Sequence, residues 1–296
     1  MGRHNKNSLS SIVVSRAMRR QINCLPITTT ISNSINTLIK YKVNGLLVID
    51  EGGLPVGVVS KTDITGAYYA DLPLDSPLEY IMSSPPLFCN TYDPLEKALE
   101  QMRDSSVYRL YVKDADEAVV GSLAYPDIVG MLYQYCCECE YSHFREQKGD
   151  GFEVVKRGHV RDCMTREVKS VGEHKSILEV IEELSLYRMG AILVCDDCSK
   201  PRGVISKTDL ILAYKHQVDP QEVAGSIMSV PVRSCWADDP LEDAIRTMIF
   251  TDVHRLFVKA QEGETLIGVF SLTDAARNRS GSCHACISSR ITLKSG

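Results

Sequence analysis

Long apolar runs, blocks of like charge and an excess of basic residues are all missing from this sequence. Because no run approaches the roughly 18 apolar residues of a membrane span, no membrane association is expected. The net charge of -5 argues against nucleic-acid binding, which usually goes with excess Lys and Arg. The first ten residues, MGRHNKNSLS, lack the apolar stretch of a signal peptide. Together these absences predict a soluble, cytoplasmic protein.

Familiar catalytic motifs are missing as well. The sequence contains no GxxxxGK(S/T), no HExxH and no GxSxG, and its seven His residues are scattered. No combination of a nucleophile with a base, or of an acid with a base, is visible. We therefore expect a protein that is not an enzyme.

What the sequence does contain is a fourfold repeat, in a chain whose 296 residues suit two domains better than one. One pattern ends each repeat: GVVSKTD at 57–63, GSLAYPD at 121–127, GVISKTD at 203–209 and GVFSLTD at 268–274. A second pattern opens each repeat at Met18, Met82, Met164 and Met228. The intervals between the four Met match those between the four Asp to within one residue. The register is therefore fixed by two markers, and the repeats fall into two similar halves.

A helix is predicted after each opening Met, because apolar residues recur there at i, i+3, i+4 and i+7. The predicted buried faces are Ile31, Ser34, Ile35 and Leu38; Leu95, Ala98, Leu99 and Met102; Ile177, Val180, Ile181 and Leu184; and Leu241, Ala244, Ile245 and Met248. Ser34 is the weak position. Asp93-Pro94 and Asp239-Pro240 predict helix starts, with Asp as the N-cap and Pro at the first helical position.

Two short strands are predicted after each helix. In the first repeat they cover 46–49 and 56–59, joined by the turn EGGLP, and in the third they cover 191–194 and 203–205. Each second strand continues into the motif Asp and a further helix. The predicted repeat is therefore a β-α-β-β-α unit, and units this small are expected to pair.

The ending motif places Ser and Asp where a strand turns into a helix. A helix N-terminus offers free N–H groups and partial positive charge, which suits phosphate. A carboxylate there can accept hydrogen bonds from both ribose hydroxyls, and the motif Gly would let a ligand approach the backbone. The alternative is that Ser and Asp only cap the last helix. Recurrence of the combination favours a ligand site, although caps can recur too.

The whole pattern resembles CBS domains, named after cystathionine β-synthase, whose usual signature is a G-h-x-S/T-x-x-D ending and an M-S/T opening. The resemblance covers about residues 12–135 and 156–278. It implies an α/β (α+β-like) fold in which paired units form two Bateman modules. These can pack as a flat disc, as in the regulatory γ subunit of AMP-activated kinase. It also implies clefts that bind adenosyl ligands such as AMP, ADP, ATP or S-adenosylmethionine.

Domain boundaries follow from the repeats. We predict CBS units at 12–70, 77–135, 156–215 and 222–278, a Cys-containing linker at 136–155 and a flexible tail at 279–296.

The resemblance also assigns ligand contacts, with Asp on the ribose and the hydroxyl beside ribose and phosphate. The predicted binding residues are Ser60, Thr62, Asp63, Arg109, Asp127, Ser206, Thr208, Asp209, His254, Arg255, Ser271, Thr273 and Asp274. The second repeat departs from the pattern, with Ala124 in place of the hydroxyl and Pro126 before the Asp. A lost hydrogen bond is worth on the order of 1 kcal/mol, so this site is expected to be weak or empty.

Odd and even repeats differ just before their hairpins. The even repeats carry Tyr108-Arg109 and His254-Arg255, and in related modules the His-Arg pair reaches phosphate. The odd repeats align there as Asn44-Gly45 and Met189-Gly190, where Gly would leave room for a ligand or partner. The alternative is that these arginines are surface or interface residues.

Eleven cysteines allow a second interpretation. Weak metal-ligand candidates are Cys136, Cys137, Cys139, Cys195, Cys198, Cys283 and Cys286. Zinc needs four ligands, and no single segment has the spacing of a known finger. Cys24, Cys89, Cys163 and Cys235 are expected in the core or lining a pocket.

Three functions follow from these features. The favoured one is a stand-alone sensor that binds an adenosyl ligand and signals through a change in conformation or assembly, as a homodimer or with a partner protein. The second is a metal- or redox-responsive scaffold that uses the cysteines. The third is a structural dimerisation module without a small ligand, which predicts degenerate motifs throughout.

Overall fold

Four three-stranded sheets and eight α-helices make up the described part of the chain. The computed structural model describes residues 12–137, 159–261, 263 and 265–277. In every sheet the first strand is parallel to the second, and the second is antiparallel to the third. The predicted tail, and the linker beyond Cys137, lie outside the described residues. The mixed α/β fold predicted from the repeats is confirmed.

Each repeat contributes one sheet and two helices. The first contains β1 (Cys24–Pro26), α1 (Ile31–Lys40), β2 (Gly45–Ile49), β3 (Pro55–Ser60) and α2 (Lys61–Tyr69). The second contains β4 (Phe88–Asn90), α3 (Leu95–Asp104), β5 (Arg109–Lys113), β6 (Val119–Ala124) and α4 (Tyr125–Cys137). The third contains β7 (Ser170–Gly172), α5 (Ile177–Leu186), β8 (Ala191–Cys195), β9 (Pro201–Ser206) and α6 (Lys207–Lys215). The fourth contains β10 (Ser234–Trp236), α7 (Leu241–Phe250), β11 (Arg255–Lys259), β12 (Leu266–Ser271) and α8 (Leu272–Arg277).

The predicted helix faces are buried with one exception, Ile245, which is only partly buried. The weak position, Ser34, is fully buried, and its hydroxyl donates to the Ile31 carbonyl at 2.7 Å. A buried hydroxyl costs little once it has a hydrogen-bond partner. The helical spacing therefore identified the core faces, including the polar residue within one of them.

The predicted role of the two Asp-Pro pairs was wrong by one residue. Pro94 is itself the N-cap, and the helix begins at Leu95, with the same arrangement at Pro240. Each Asp instead closes the preceding turn, since Asp93 accepts from the Asn90 N–H at 2.8 Å and Asp239 from the Trp236 N–H at 2.7 Å. The carboxylate satisfies the amide of the last residue of the preceding strand, not a helix amide.

Two compact units divide the chain. One, here called the odd unit, contains residues 22–87 and 169–232 and so joins the first and third repeats. The other, the even unit, contains the described parts of 1–21, 88–168 and 233–296 and joins the second and fourth. Among the described helices, none is both long and apolar enough to cross a bilayer.

Helices α2 and α6 pack together in the odd unit through a symmetric tyrosine pair. The rings of Tyr68 and Tyr214 stack with centroids 4.9 Å apart and planes 17° apart. The Tyr68 hydroxyl donates to the Val218 carbonyl at 2.6 Å, and the Tyr214 hydroxyl donates to the Leu72 carbonyl. Burial raises the pKa of both tyrosines to about 12, so both stay protonated donors at neutral pH.

The even unit is built on the packing of α4 against α7 and α8. Ile128 and Val129 of α4, and Ala276 of α8, are almost fully buried. The two units therefore use the same pair of motif helices, with aromatic stacking in one and aliphatic side chains in the other.

The opening segment of each repeat packs on the sheet of its neighbour in sequence. Antiparallel bridges join Ser83 to Val58, Arg19 to Ser122, Ser229 to Val204 and Thr165 to Val269. At each bridge the opening Met covers the motif Gly of the neighbouring repeat. A Cβ added at Gly203, for example, would lie 2.8 Å from Met228 Sδ and 2.9 Å from the Ser229 carbonyl oxygen. The same holds at Gly57, Gly121 and Gly268.

The proposed role of the motif Gly as room for a ligand was therefore wrong. The space beside each glycine is filled by the chain's own methionine and backbone. Gly and Met recur in the same register because they touch each other.

Replacing Gly203 by Ala should lower the free energy of unfolding by about 1–3 kcal/mol, because the added methyl overpacks the Met228 contact. Urea titration followed by circular dichroism measures this. Gly66→Ala in α2 is the matched control, since nothing lies within 4 Å of its added Cβ. That control should be neutral or stabilising by up to about 1 kcal/mol. Equal stability of the two variants would contradict the packing role of Gly203.

Candidate ligand-binding site

The motif Ser and Asp of the first repeat form a reciprocal cap at the start of α2. Ser60 is the N-cap residue, and its backbone N–H and hydroxyl both donate to Asp63 Oδ2, at 2.7 and 2.6 Å. The Ser60 hydroxyl oxygen in turn accepts from the Thr62 N–H at 3.2 Å. This capping box orients the carboxylate at a helix N-terminus, where the helix dipole favours negative charge.

The third and fourth repeats build the same arrangement. Ser206 N–H and hydroxyl donate to Asp209 Oδ2 at 2.7 and 2.6 Å. Ser271 N–H and hydroxyl donate to Asp274 Oδ2 at 2.9 and 2.6 Å. Thr273 lies in the first turn of α8. Ser and Asp therefore do cap the helix in these three repeats, and the cap uses one carboxylate oxygen.

The other carboxylate oxygen faces the opening segment of the neighbouring repeat, which packs on the same sheet. Asp63 Oδ1 accepts from the Ser83 hydroxyl at 3.0 Å, and Asp209 Oδ1 accepts from the Ser229 hydroxyl at 2.7 Å. Sequence reasoning did not assign these two serines to the site. The signal was present, because the hydroxyl of each M-S opening recurs at a fixed distance from the motif Asp. The sequence alone does not show that the opening segment of one repeat packs on the sheet of its neighbour.

Two lysines cross between the motif helices of the odd unit. Lys61 Nζ donates to Thr208 Oγ1 at 2.8 Å, and Lys207 Nζ donates to Thr62 Oγ1 at 2.8 Å. The predicted residues of the first and third repeats are thus brought together at two facing helix starts. Lys61 and Lys207 were also missed, although both repeats share the sequence SKTD.

The even unit brings its two predicted dipeptides together. The rings of Tyr108 and His254 stack with centroids 6.2 Å apart, and the Tyr108 hydroxyl lies 3.5 Å from His254 Nδ1. The Tyr108 and Tyr125 rings also pack edge to face, with their centroids 5.4 Å apart. Burial raises the pKa of Tyr108, against the opposing influence of Arg109 and of a second arginine, so its hydroxyl remains protonated.

Arg255 is the second arginine of this cluster. Burial lowers its pKa, while Asp274 and Tyr108 favour the charged form and oppose that shift. A guanidinium keeps its proton in proteins, so the cluster holds a partly buried cation close to a motif carboxylate. Arg109 is placed differently, because its Nη1 donates to the Ser122 hydroxyl at 2.7 Å.

The strand register corrects the comparison of odd and even repeats. Arg109 pairs with Ala124 and Arg255 pairs with Ser271 across their hairpins. The residues that pair with Ser60 and Ser206 in the odd repeats are Gly45 and Ala191. The alignment of Gly190 with the arginines was therefore wrong by one residue, because the hairpin pairing is shifted by one from the assumed alignment. The third repeat has a methyl group there, not an open space.

The second repeat differs from the other three at its carboxylate. Asp127 Oδ2 accepts from the Ala124 N–H at 2.9 Å, so the backbone half of the cap survives the loss of the hydroxyl. Its Oδ1 accepts from Arg19 Nε, in an ion pair where Asp127 is 4% exposed and Arg19 is 54% exposed. Arg19 occupies the place that a serine holds beside Asp63 and Asp209.

An open groove of about 380 Å³ lies elsewhere in the even unit. It runs between Met164 and Arg166 of the opening segment and Ala237, Asp238 and Ile267. None of the predicted binding residues lines it, so the motif carboxylates lie outside this groove.

The cysteines are divided between core and surface. Cys89, Cys163, Cys195 and Cys235 are buried, whereas Cys24 and Cys198 are exposed. The expectation of a core or pocket position thus holds for three of the four isolated cysteines and fails for Cys24. Cys139, Cys283 and Cys286 lie outside the described residues, and the side chains of Cys136 and Cys137 are not described. Among described side chains, no group of three or more His, Cys, Asp or Glu could hold a metal ion.

Comparison with protein families finds one domain family that matches all four repeats. The profile of the CBS domain matches residues 13–70, 78–133, 160–216 and 224–281. The chain belongs to the CBS domain family. Its four matches coincide with the four sheets and with the four motif carboxylates.

Individual relatives agree with that assignment. The uncharacterized protein MJ1225 of Methanocaldococcus jannaschii is 28% identical over 181 residues, which cover 61% of this chain and 63% of that protein. MK0525 of Methanopyrus kandleri is 26% identical over 117 residues, covering 39% of this chain and 59% of that protein. These alignments therefore span less than two thirds of either curated relative.

Solved structures are similar as well. The crystal structure of MJ1225 superposes with a TM-score of 0.74 at 17% identity, covering 90% of this chain and 99% of that one. The similarity shows the fold. The CBS domain protein PAE2072 from Pyrobaculum aerophilum, solved in complex with AMP, is 29% identical over 43% of this chain and 99% of its own, with a TM-score of 0.39.

Thiol reactivity should follow burial. Burial raises the pKa of Cys89 and Cys235 to about 12 and that of Cys163 to about 11, so these thiols stay protonated and unreactive at pH 8. In native protein treated with iodoacetamide, peptide mass spectrometry should find Cys24 and Cys198 modified and those three protected. Labelling in denaturant is the control, in which all should react. Fast native labelling of Cys89 or Cys235 would contradict the buried placement.

Proposed function

We propose that this CBS domain protein is a regulatory sensor, not an enzyme, and that it binds adenosyl ligands at its intact Ser-Asp motifs. The observation that carries the proposal is the same at three repeats. A carboxylate stands at a helix N-terminus, held through one oxygen by the capping Ser. Such a group suits the hydroxyls of a ribose.

The ribose would be recognised through the second carboxylate oxygen. In the odd unit that oxygen accepts from a neutral hydroxyl, Ser83 on Asp63 and Ser229 on Asp209. A carboxylate oxygen can accept more than one hydrogen bond, and a hydroxyl can rotate to donate elsewhere. A ribose hydroxyl can therefore join or replace the serine without leaving a buried charge uncompensated.

The phosphates of a nucleotide would meet different cations in the two units. In the odd unit these are Lys61 and Lys207, which donate to Thr208 and Thr62 at the facing helix starts. In the even unit the candidate is Arg255, beside His254 and Tyr108. An ammonium is a mobile point charge, whereas a guanidinium offers a bidentate fork, so the two units are expected to prefer different ligands.

Signalling would follow from differential binding. A ligand changes an equilibrium only if it binds one arrangement better than another. Phosphate that draws Lys61 away from Thr208 would remove a contact between the first and third repeats. The ligand would thereby alter how these repeats pack or how they meet a partner. A cytoplasmic location and a homodimer or partner protein stay predictions.

Calorimetric titration with AMP, ADP, ATP and S-adenosylmethionine tests the proposal. At least one ligand should bind, and an Asp209→Asn, Asp274→Asn double variant should lose affinity at both altered sites. Each lost hydrogen bond to a charged group is worth about 1.5–3 kcal/mol, so the affinity at each site should fall about 10- to 100-fold.

Asp197→Asn provides a control for the change at Asp209, because it likewise removes one negative charge from the third repeat, at an exposed hairpin residue. Its binding should equal that of the unaltered protein. If none of the four ligands binds, or if the double variant binds them all unchanged, the site assignment is wrong.

A further inference from the structure

We propose that Arg19 permanently occupies the ribose position of the second repeat, so that this repeat is closed to adenosyl ligands by a residue of the chain itself. The inference rests on the proposed function, since it uses the same ribose-binding role of the motif carboxylate. It assigns a specific role to the residue that stands where the M-S/T opening of the other repeats has a hydroxyl.

The four opening segments provide the comparison. Each lies antiparallel to the strand that ends in the motif, with Ser83, Thr165 and Ser229 bridged to valines in three cases. Arg19 holds the equivalent place, and its backbone exchanges two hydrogen bonds of 2.9 Å with Ser122. Its side chain is therefore directed to Asp127 by the same backbone geometry that directs a serine to Asp63 or Asp209.

The consequence of having arginine in place of serine at this position depends on charge. The hydroxyl of Ser83 leaves the Asp63 carboxylate with its full negative charge, whereas Arg19 neutralises Asp127. Asp127 is almost fully shielded, at 4% exposure, while Arg19 lies across it at 54% exposure. A ribose would have to displace a cation from a shielded carboxylate, which costs far more than rotating a hydroxyl.

A second difference in the same repeat acts in the same direction. The Arg109 guanidinium, the phosphate candidate of this repeat, donates to the Ser122 hydroxyl at 2.7 Å. The equivalent positions of the other repeats are Val58, Val204 and Val269, which offer no hydroxyl. Arg19 donates to Asp127 and Arg109 donates through Nη1 to Ser122, although the buried Arg109 Nε has no hydrogen-bond partner among the described residues. Ala124 supplies no hydroxyl for a ligand.

The test converts the second repeat to the pattern of the others. An Arg19→Ser, Ala124→Ser variant should bind one more AMP per chain than the unaltered protein in calorimetric titration. Adding Asp127→Asn to this variant should remove the extra site. The matched control is Arg20→Ser with Ala124→Ser, which loses the same charge from an exposed neighbour and should gain no site.

The outcomes separate this inference from the proposed function. If the unaltered protein binds AMP and the converted variant gains no site, or binds more weakly, Arg19 is not an occupant and the inference is wrong. If the unaltered protein binds nothing but the converted variant binds one AMP, the inference holds and the intact motifs have been misassigned. If neither protein binds AMP, ADP, ATP or S-adenosylmethionine, both fail. Arg19→Thr with Ala124→Ser, which copies the threonine found at Thr165, repeats the test should the serine variant not fold.

Discussion

Each motif glycine makes room for a methionine from another segment of the chain, and this contact determines which residue meets the motif carboxylate. With Met82 seated on Gly57, the next residue, Ser83, comes within 3.0 Å of Asp63. The same contact places Ser229 on Asp209 and Arg19 on Asp127. A Cβ at the glycine would separate the two segments, and the carboxylate would lose its contact with the residue that follows the methionine. The packing of the segments and the hydrogen bonding of the carboxylate therefore depend on one close approach.

The two compact units use one scaffold for different electrostatic environments. In the odd unit, Lys61 and Lys207 cross between facing helix starts. In the even unit, an arginine is partly buried beside stacked Tyr108 and His254. Each of these lysines donates to a threonine hydroxyl across the unit, whereas Arg255 is a partly buried cation influenced by Asp274 and Tyr108. The two units therefore share the capped motif carboxylate and differ in the cations that lie near it.

The departures of the second repeat are coupled to one another. Loss of the capping hydroxyl at Ala124 coincides with a hydroxyl two residues earlier, Ser122, which holds Arg109. An arginine replaces the opening serine and pairs with Asp127. Together these changes provide the Asp127 carboxylate with a cation and give Arg109 Nη1 an acceptor, while the buried Arg109 Nε has no hydrogen-bond partner among the described residues. A degenerate motif can thus be a stable arrangement in its own right.

The repeat, the helix faces, the hairpins and the capping Ser-Asp pairs were all predictable from sequence, because they depend on interactions between residues at most a few positions apart. Ser34 shows the reach of such reasoning, since its place in the helical stripe predicted burial despite its polarity. The roles of Gly203, Ser229 and Arg19 were not predictable, because each depends on a segment that lies on the neighbouring repeat's sheet. The Lys61–Thr208 contact joins residues even farther apart in sequence. Local hydrogen bonding determined the helix cap in each motif, and only the packing of each opening segment on the neighbouring repeat's sheet decided which residue meets the second carboxylate oxygen.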